Sequence, residues 1–420
     1  MAVRLLNNII MFLLISSTGG LLFVYNRNLS FLIFAVLLIV GFFYLSRSIK
    51  KETFYSILLS FISILFLFFL NFIFAPNPQS VTKFAFFGVT FFVTSLALLF
   101  FYHQDHKAFL NSLYSILKLI LFHSLISFFL YPFLKNNLFE IVAVMEGNNS
   151  VKHTSQTFYY IFYYLAKGEV GVFNFFGYEF MRNSGIFWEP GILQFYLNIL
   201  FFIEMTFFKK NKKLLLLIII SIAATYSTTG FLILSIQIIY FLFKHSKKRL
   251  AVIFIFMLSF PIYIFVGSNI NEKVYGETAS SFQKRLLDFT QPVFIALENP
   301  ITGVGVDLEQ FSKYRSEFYP NSDFLNKIYS TIEVGPNYQT SNRGSTNSVT
   351  YLLAGLGIPS MVFIILMLTR QQIVEKHRLL FFSIIFITAL SEPLLHRPFF
   401  FVFIMSGLAS TIKNYISVKT

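Results

Sequence analysis

The sequence predicts an all-α, polytopic membrane protein, and three observations carry that prediction. Of 420 residues, 56% are hydrophobic and only 12% are charged, about half the charged share of a soluble domain. Apolar runs recur along the chain, most of them close to the roughly 20 residues that a spanning helix needs. The 33 Lys and Arg, against 19 Asp and Glu, fall mainly between those runs, where basic residues set membrane orientation. In a soluble protein a formal charge of +14 would point to nucleic acid; this distribution does not. The absence of Cys excludes disulfides, thiolate metal sites and thiol nucleophiles. The 59 Phe and 22 Tyr against a single Trp are read as compositional bias rather than as a stacking surface.

Five runs, at 5–25, 29–46, 54–75, 82–102 and 109–133, make an N-terminal membrane block over 1–133. The first is expected to be retained, because Asn26-Arg27-Asn28 leads at once into another apolar run with no small-residue cleavage site. A second block, 190–267, begins with the run 190–208 and ends with the run 250–267. Between them lies 214–243, which as one helix would measure about 45 Å. That exceeds a hydrocarbon core of about 30 Å. Basic clusters flank it, Lys209 to Lys213 before and Lys244 to Arg249 after. A single crossing would leave one cluster outside, against the positive-inside trend. Two short helices turning near Tyr226-Ser227-Thr228-Thr229-Gly230 keep both inside, with hydroxyls available to the freed backbone groups. Runs at 348–369, 379–394 and 398–414 form the last block, 348–420. The total is about 12 transmembrane helices with both termini cytoplasmic.

Two segments, 134–189 and 268–347, are too long to be simple connections, and both fall on the external face. Loops of that length usually have a function. Within the first, 157–166 (TFYYIFYYLA) is expected to form an amphipathic interfacial helix with Tyr at headgroup depth.

The sharpest local string is Arg182-Asn183-Ser184-Gly185-Ile186-Phe187-Trp188-Glu189-Pro190-Gly191. As a local feature it is a helix start: Pro190 suits the first helical position and Glu189 the flank before it. Trp188 is then an interfacial anchor. Capping does not account for Arg182, a guanidinium suited to phosphate oxygens at a membrane mouth. The second long segment contains a short amphipathic stretch with Arg285, Asp288 and Gln291 on one side and Leu286, Phe289, Val293 and Leu297 mostly on the other. Its Gly303-Val304-Gly305 lacks the strand–helix context of a nucleotide fold and is read as a turn. Arg343 precedes the span at 348–369, for which Asn347 or Ser348 is the natural N-cap. His396 and Arg397 lie in the turn before the last span, where a Glu392–Arg397 ion pair is the plain structural expectation.

Four arginines, Arg182, Arg285, Arg343 and Arg397, thus map to the outer face against the positive-inside trend, and together they suggest an anionic ligand. A lipid-linked pyrophosphate fits, with its diphosphate at headgroup depth and its tail in the bilayer. Lys118 and Glu204 are expected to snorkel toward the cytoplasmic side, and His123 to be a satisfied interior histidine. There is no HExxH, DxD or Walker pattern, so neither a metal nor a nucleotide cofactor is expected.

RNSGIFWEPG (182–191), YSTTG (226–230), SFQKRLLDF…NPITGVG (281–305) and TNSVTYLLAGLGI (346–358), set in this topology, give the chain its family likeness. It resembles the Wzy-type O-antigen polymerases and the related O-antigen ligases, integral-membrane glycosyltransferases of the GT-C kind. The resemblance implies a GT-C-like fold with two large periplasmic loops in the bacterial inner membrane. It implies transfer of a growing glycan from undecaprenyl pyrophosphate to the sugar hydroxyl of an incoming lipid-linked repeat unit, without nucleotide or metal. It also implies a chain-length regulator as partner, besides the undecaprenyl-pyrophosphate-linked oligosaccharide and membrane lipid. By motif, Arg182 and Arg285 correspond to essential loop arginines that bind the departing pyrophosphate, with Arg343 and Arg397 as additional ligands. Glu189 is the candidate general base on the acceptor hydroxyl and His396 the rival. Ligases of this kind place a His immediately before the Asn that opens the helix after the second loop. Here that position is Thr346, which favours polymerase over ligase. A lipid-linked oligosaccharide transporter shares the helix count, but no repeat relates the two halves of the chain.

Overall fold

The computed structural model describes residues 2–45, 49–102, 106–145, 151–165, 172–175, 178–208, 210–245, 279–318, 330 and 345–419. The expected span at 250–267 and Arg343 lie outside the described residues. Among the described residues nine α-helices precede residue 246: α1 (Ala2–Ser16), α2 (Leu21–Tyr25), α3 (Arg27–Leu45), α4 (Lys51–Phe74), α5 (Val81–Tyr102), α6 (His106–Leu134), α7 (Pro190–Phe207), α8 (Lys212–Ala224) and α9 (Thr228–His245). Six follow: α10 (Ala279–Glu298), α11 (Leu308–Glu317), α12 (Ser348–Leu356), α13 (Ile358–Thr369), α14 (Arg378–Ser391) and α15 (Pro398–Lys419). Among the described residues six helices are long and apolar enough to cross a membrane: those over Arg27–Tyr44, Lys51–Phe74, Val81–Tyr102, Lys107–Asn137, Pro190–Phe207 and Pro398–Ile416. The chain is a multi-pass, mainly helical membrane protein.

Three of the apolar runs are interrupted. The long run 214–243 is two helices, α8 and α9, parted at Thr225–Ser227, as its length required. The runs 5–25 and 348–369 were expected to be continuous and are not: α1 gives way to α2 across Ser17–Gly20, and α12 to α13 at Gly357. Hydropathy averages over such a break, because Ser, Thr and Gly interrupt an apolar run without lowering it much. The freed backbone groups need partners from the protein itself, and in all three places a distant segment supplies them.

The chain divides into two compact units. The first comprises Met1–Ser48, Phe100–Gly267 and Ile373–Thr388. Its core is lined by α1, α6 and α7, with Phe195, Tyr196 and Phe202 on α7 fully buried. Buried amides tie α7 to α9: Gln237 Nε2 donates to Asn198 Oδ1 at 2.9 Å, and Asn198 Nδ2 to the Gly230 carbonyl at 3.2 Å. Glu204 does not snorkel. It is buried and accepts from the Asn211 amide at 2.6 Å and from the Tyr114 hydroxyl at 2.7 Å, closing the α7–α8 turn.

The segment after α6 is β structure, not the expected interfacial helix. Strands β1 (Phe139–Met145), β2 (Val151–Phe158) and β3 (Phe162–Leu165) form an antiparallel sheet in the order β1-β2-β3, and β4 (Val172–Phe175) pairs with β5 (Tyr178–Met181). The stretch from 157 is almost entirely Thr, Phe, Tyr and Ile, residues that suit a pleated, half-buried surface better than a helix. Tyr159 and Tyr160, at φ 47° and 58°, turn the chain between β2 and β3.

The second unit comprises Ile49–Leu99, Ser268–Gln372 and Ala389–Thr420. Phe68 on α4, Phe91 on α5 and Phe401 on α15 interlock there, with Phe68–Phe91 ring centroids 4.7 Å apart and Phe91–Phe401 4.8 Å apart. On α15, residues 399–405 are fully buried.

Candidate functional site

In the first unit the 182–191 string is threaded through two helix breaks. At the α1–α2 break the Leu21 amide donates to the Ile186 carbonyl at 2.9 Å and the Trp188 amide to the Gly19 carbonyl at 3.1 Å. Gly19, at φ 136°, is a place where only glycine fits, because a Cβ would stand 2.7 Å from the Trp188 indole nitrogen. Trp188 therefore packs on Gly19 instead of serving only as an anchor. At the α8–α9 break the Asn183 amide donates to the Ala224 carbonyl at 2.9 Å, and Arg182 Nε donates to the Thr225 carbonyl at 3.1 Å. Phe187, fully buried, stacks on Tyr196 at 5.2 Å and wedges the segment in place.

Arg182 is half-buried. The bond from Nε ties the guanidinium to the α8–α9 break, and a guanidinium is the group suited to phosphate oxygens. Glu189 stands at the N-cap of α7 with Pro190 first in the helix, as expected, yet its side chain makes no cap hydrogen bond. The stretch from Arg182 to Glu189 thus joins a backbone-braced guanidinium to a carboxylate that does not cap its own helix.

In the second unit the centre is Asp288, a residue the sequence marked only as part of a helix face. Of the two sides, Asp288 and Gln291 are buried, while Phe289 and Leu297 are exposed. The polar side of α10 can turn inward only because it finds partners there. Arg315 on α11 provides them. Its Nη1 lies 2.7 Å from Asp288 Oδ1 and its Nε donates to Gln291 Oε1, with Asp288 0% and Arg315 2% exposed. Gln291 Nε2 returns a bond to the Arg315 carbonyl at 2.9 Å. Asp288 Oδ2 accepts from the Thr346 amide at 2.8 Å and the Thr346 hydroxyl at 2.7 Å. Thr350 Oγ1 donates to the Asp288 carbonyl at 2.9 Å. A buried pair satisfied this fully fixes geometry; leaving one member unpaired costs about 3–5 kcal/mol.

That network holds the entrance to α12. Asn347 is the N-cap, its Oδ1 accepting from Val349 and Thr350 amides at 3.0 and 3.1 Å. Ser348 Oγ shares its one proton between the Ala389 and Glu392 carbonyls, both at 2.9 Å, and accepts from the Leu395 amide at 3.2 Å. The turn carrying His396 and Arg397 is thereby fastened to the same helix start, and the His396 ring meets Tyr351 edge-on at 6.1 Å. Arg285, one turn before Asp288 on α10, is exposed.

The Gly303-Val304-Gly305 stretch is a turn, as expected, and it also bridges the third helix break. Val304 and Gly305 amides donate to the Ala354 and Gly355 carbonyls at 2.8 and 3.0 Å, and the Ile358 amide to the Pro300 carbonyl at 2.8 Å. Asn71 Nδ2 on α4 donates to the Thr302 and Gly355 carbonyls at 2.6 and 2.7 Å.

Of the residues singled out in the sequence, Arg182 and Glu189 fall in the first unit and Arg285, His396 and Arg397 in the second. Arg315 gave no signal, since a lone arginine on a polar helix looks solvated; the i, i+3 pair Asp288 and Gln291 was the trace that could have led to it. Among the described residues no group of three His, Asp or Glu is placed to hold a metal ion.

Residues 214–365 match the family model described as O-antigen ligase. The match supports the O-antigen ligase/polymerase superfamily. It covers just over a third of the chain, from α8 through most of α13, and so includes the α8–α9 break, the Asp288–Arg315 pair and the start of α12. No curated protein and no solved structure matches the chain. The superfamily is one of glycosyltransferase-like membrane enzymes of surface-polysaccharide synthesis.

Proposed function

We propose that the chain is an O-antigen polymerase of the bacterial inner membrane, acting at the periplasmic face with both termini in the cytoplasm. The family match over 214–365 carries this reading. Thr346, bound through amide and hydroxyl to Asp288, favours polymerase over ligase, because the position at which similar ligases have a His is occupied by a structural residue.

In this reading the bond between the donor sugar's anomeric carbon and the pyrophosphate oxygen breaks, and the acceptor hydroxyl oxygen bonds to that carbon. Glu189 takes the hydroxyl proton, with His396 as the alternative base. Arg182, Arg285, Arg343 and Arg397 stabilise the charge on the departing undecaprenyl pyrophosphate, a large contribution where water is excluded. Neither nucleotide nor metal enters. A chain-length regulator is the expected protein partner.

The test is turnover in nanodiscs with synthetic undecaprenyl-pyrophosphate repeat units. A ladder of lengthening lipid-linked glycans supports the polymerase. Transfer only when lipid A–core is added makes the protein a ligase, and silence with both acceptors removes the enzyme reading in favour of transport.

A further inference from the structure

We infer that the β2–β3 hairpin is not an aqueous loop but a re-entrant element whose tip, Tyr159-Tyr160-Ile161, lies in the hydrocarbon of the bilayer against lipid acyl chains. Helix α6 supplies the ruler. Near its start Tyr114 bonds Glu204, and Lys118 folds its ammonium back over the Tyr114 ring at 4.3 Å. Near its end Lys135 pairs with Glu179 at 2.8 Å, their side chains 36% and 50% exposed. Between Tyr114 and Lys135 the helix rises about 31 Å, close to the roughly 30 Å of a hydrocarbon core.

One face of α6 carries the hairpin between those two polar levels. His123 Nε2 lies 2.8 Å from the Ile161 carbonyl, and its ring lies 5.4 Å from that of Phe162. A turn later the Ser127 carbonyl accepts from the Tyr164 hydroxyl at 2.9 Å, and Tyr131 packs on Tyr164 at 5.0 Å. β3 therefore runs along the helix, with its tip about 18 Å from the Lys135 level and about 14 Å from that of Tyr114. That is near the middle of the membrane.

Part of the tip's backbone is satisfied within the protein, and its side chains are exposed. Irregular backbone survives in hydrocarbon only when its polar groups are satisfied within the protein. Here Thr157 Oγ1 accepts from the Tyr160 amide at 3.0 Å, the Phe158 carbonyl from the Ile161 amide at 2.9 Å, and His123 takes the Ile161 carbonyl. The side chains are meanwhile largely uncovered, with Phe139 and Phe158 rings beside the two tyrosines: Tyr159, Tyr160 and Ile161 are 69%, 64% and 56% exposed. Phe122 and Ile126, which flank His123, belong to an exposed apolar stripe of α6 that also includes Leu119, Phe129 and Phe133. The tip continues that lipid-facing surface.

The chain lacks Cys, so single-cysteine variants of the full protein in nanodiscs test this directly. Tyr160→Cys is compared with Tyr178→Cys, which neighbours Glu179 at the Lys135 level and is 56% exposed as Tyr. A charged maleimide is expected to label position 160 at least about tenfold more slowly than 178, and equally fast after denaturation. A fluorophore placed at 160 through a neutral reagent is expected to be quenched by brominated lipid. Equal native labelling at both sites would mean that the tip faces water, and slow labelling without lipid quenching would mean that a protein partner covers it; either overturns the proposal. Ile161→Cys repeats the measurement should Tyr160→Cys fold poorly. None of these outcomes depends on glycan transfer.

Discussion

Thr346 donates both its amide and its hydroxyl to one carboxylate oxygen of Asp288, at 2.8 and 2.7 Å. The other oxygen holds Arg315, so a single buried carboxylate connects α10, α11 and the start of α12. The consequence is a rigid junction where a long polar segment returns to the membrane. It is built from groups that are costly to bury separately and stable only together.

Asp288 and Arg315 are therefore expected to be coupled. Asp288→Asn, or Arg315→Met alone, should each lower unfolding stability by about 3–5 kcal/mol by stranding the partner's charge. The double variant Asp288→Asn with Arg315→Met should lose less than the two singles combined. Thermal unfolding in detergent measures the cycle, and strict additivity would argue against the pairing.

Gly303 is held at φ 63°, and a Cβ there would stand 2.5 Å from the Ala354 carbonyl oxygen. Gly303→Ala should cost well over about 1 kcal/mol, since strained backbone and blocked docking add. Gly88 has no contact closer than 3.7 Å for a Cβ, and Gly88→Ala serves as the tolerated control in the same unfolding measurement.

For Arg182 the expectation separates activity from folding. Arg182→Ala should reduce glycan transfer by roughly 10²- to 10³-fold, far more than the loss of its bond to the Thr225 carbonyl explains, a bond worth about 1 kcal/mol in stability. Lysine should recover little activity, because it cannot both bond the Thr225 carbonyl through a side-position nitrogen and present a planar fork. Substantial activity in Arg182→Lys would reduce the residue's role to charge alone.

Glu189→Gln keeps the size and shape of the side chain at the start of α7 and removes only its carboxylate. If it is the base, polymer synthesis falls by about 10²- to 10⁴-fold. Full polymer length in Glu189→Gln transfers the assignment to His396, whose Gln variant is the parallel measurement.

By itself the sequence determined the membrane class, the two long polar segments and the need for α8 and α9 to be separate helices, because hydrophobic length and charge placement are properties of contiguous residues. Asn347 as N-cap and Pro190 as first helical residue were legible for the same reason: each acts within its own turn. The tertiary structure alone decided where α1–α2 and α12–α13 break, since a break is tolerated only if a remote segment satisfies its backbone, as 186–188 does for Gly19 and Leu21 and 300–305 for Ala354 and Gly355. It likewise decided that 157–165 folds as a hairpin, because β pairing depends on a partner strand that local composition does not name. Arg315 shows the limit most sharply. It reads as a solvated charge in sequence and becomes a buried one in the fold, where its partner Asp288 is supplied by a different helix.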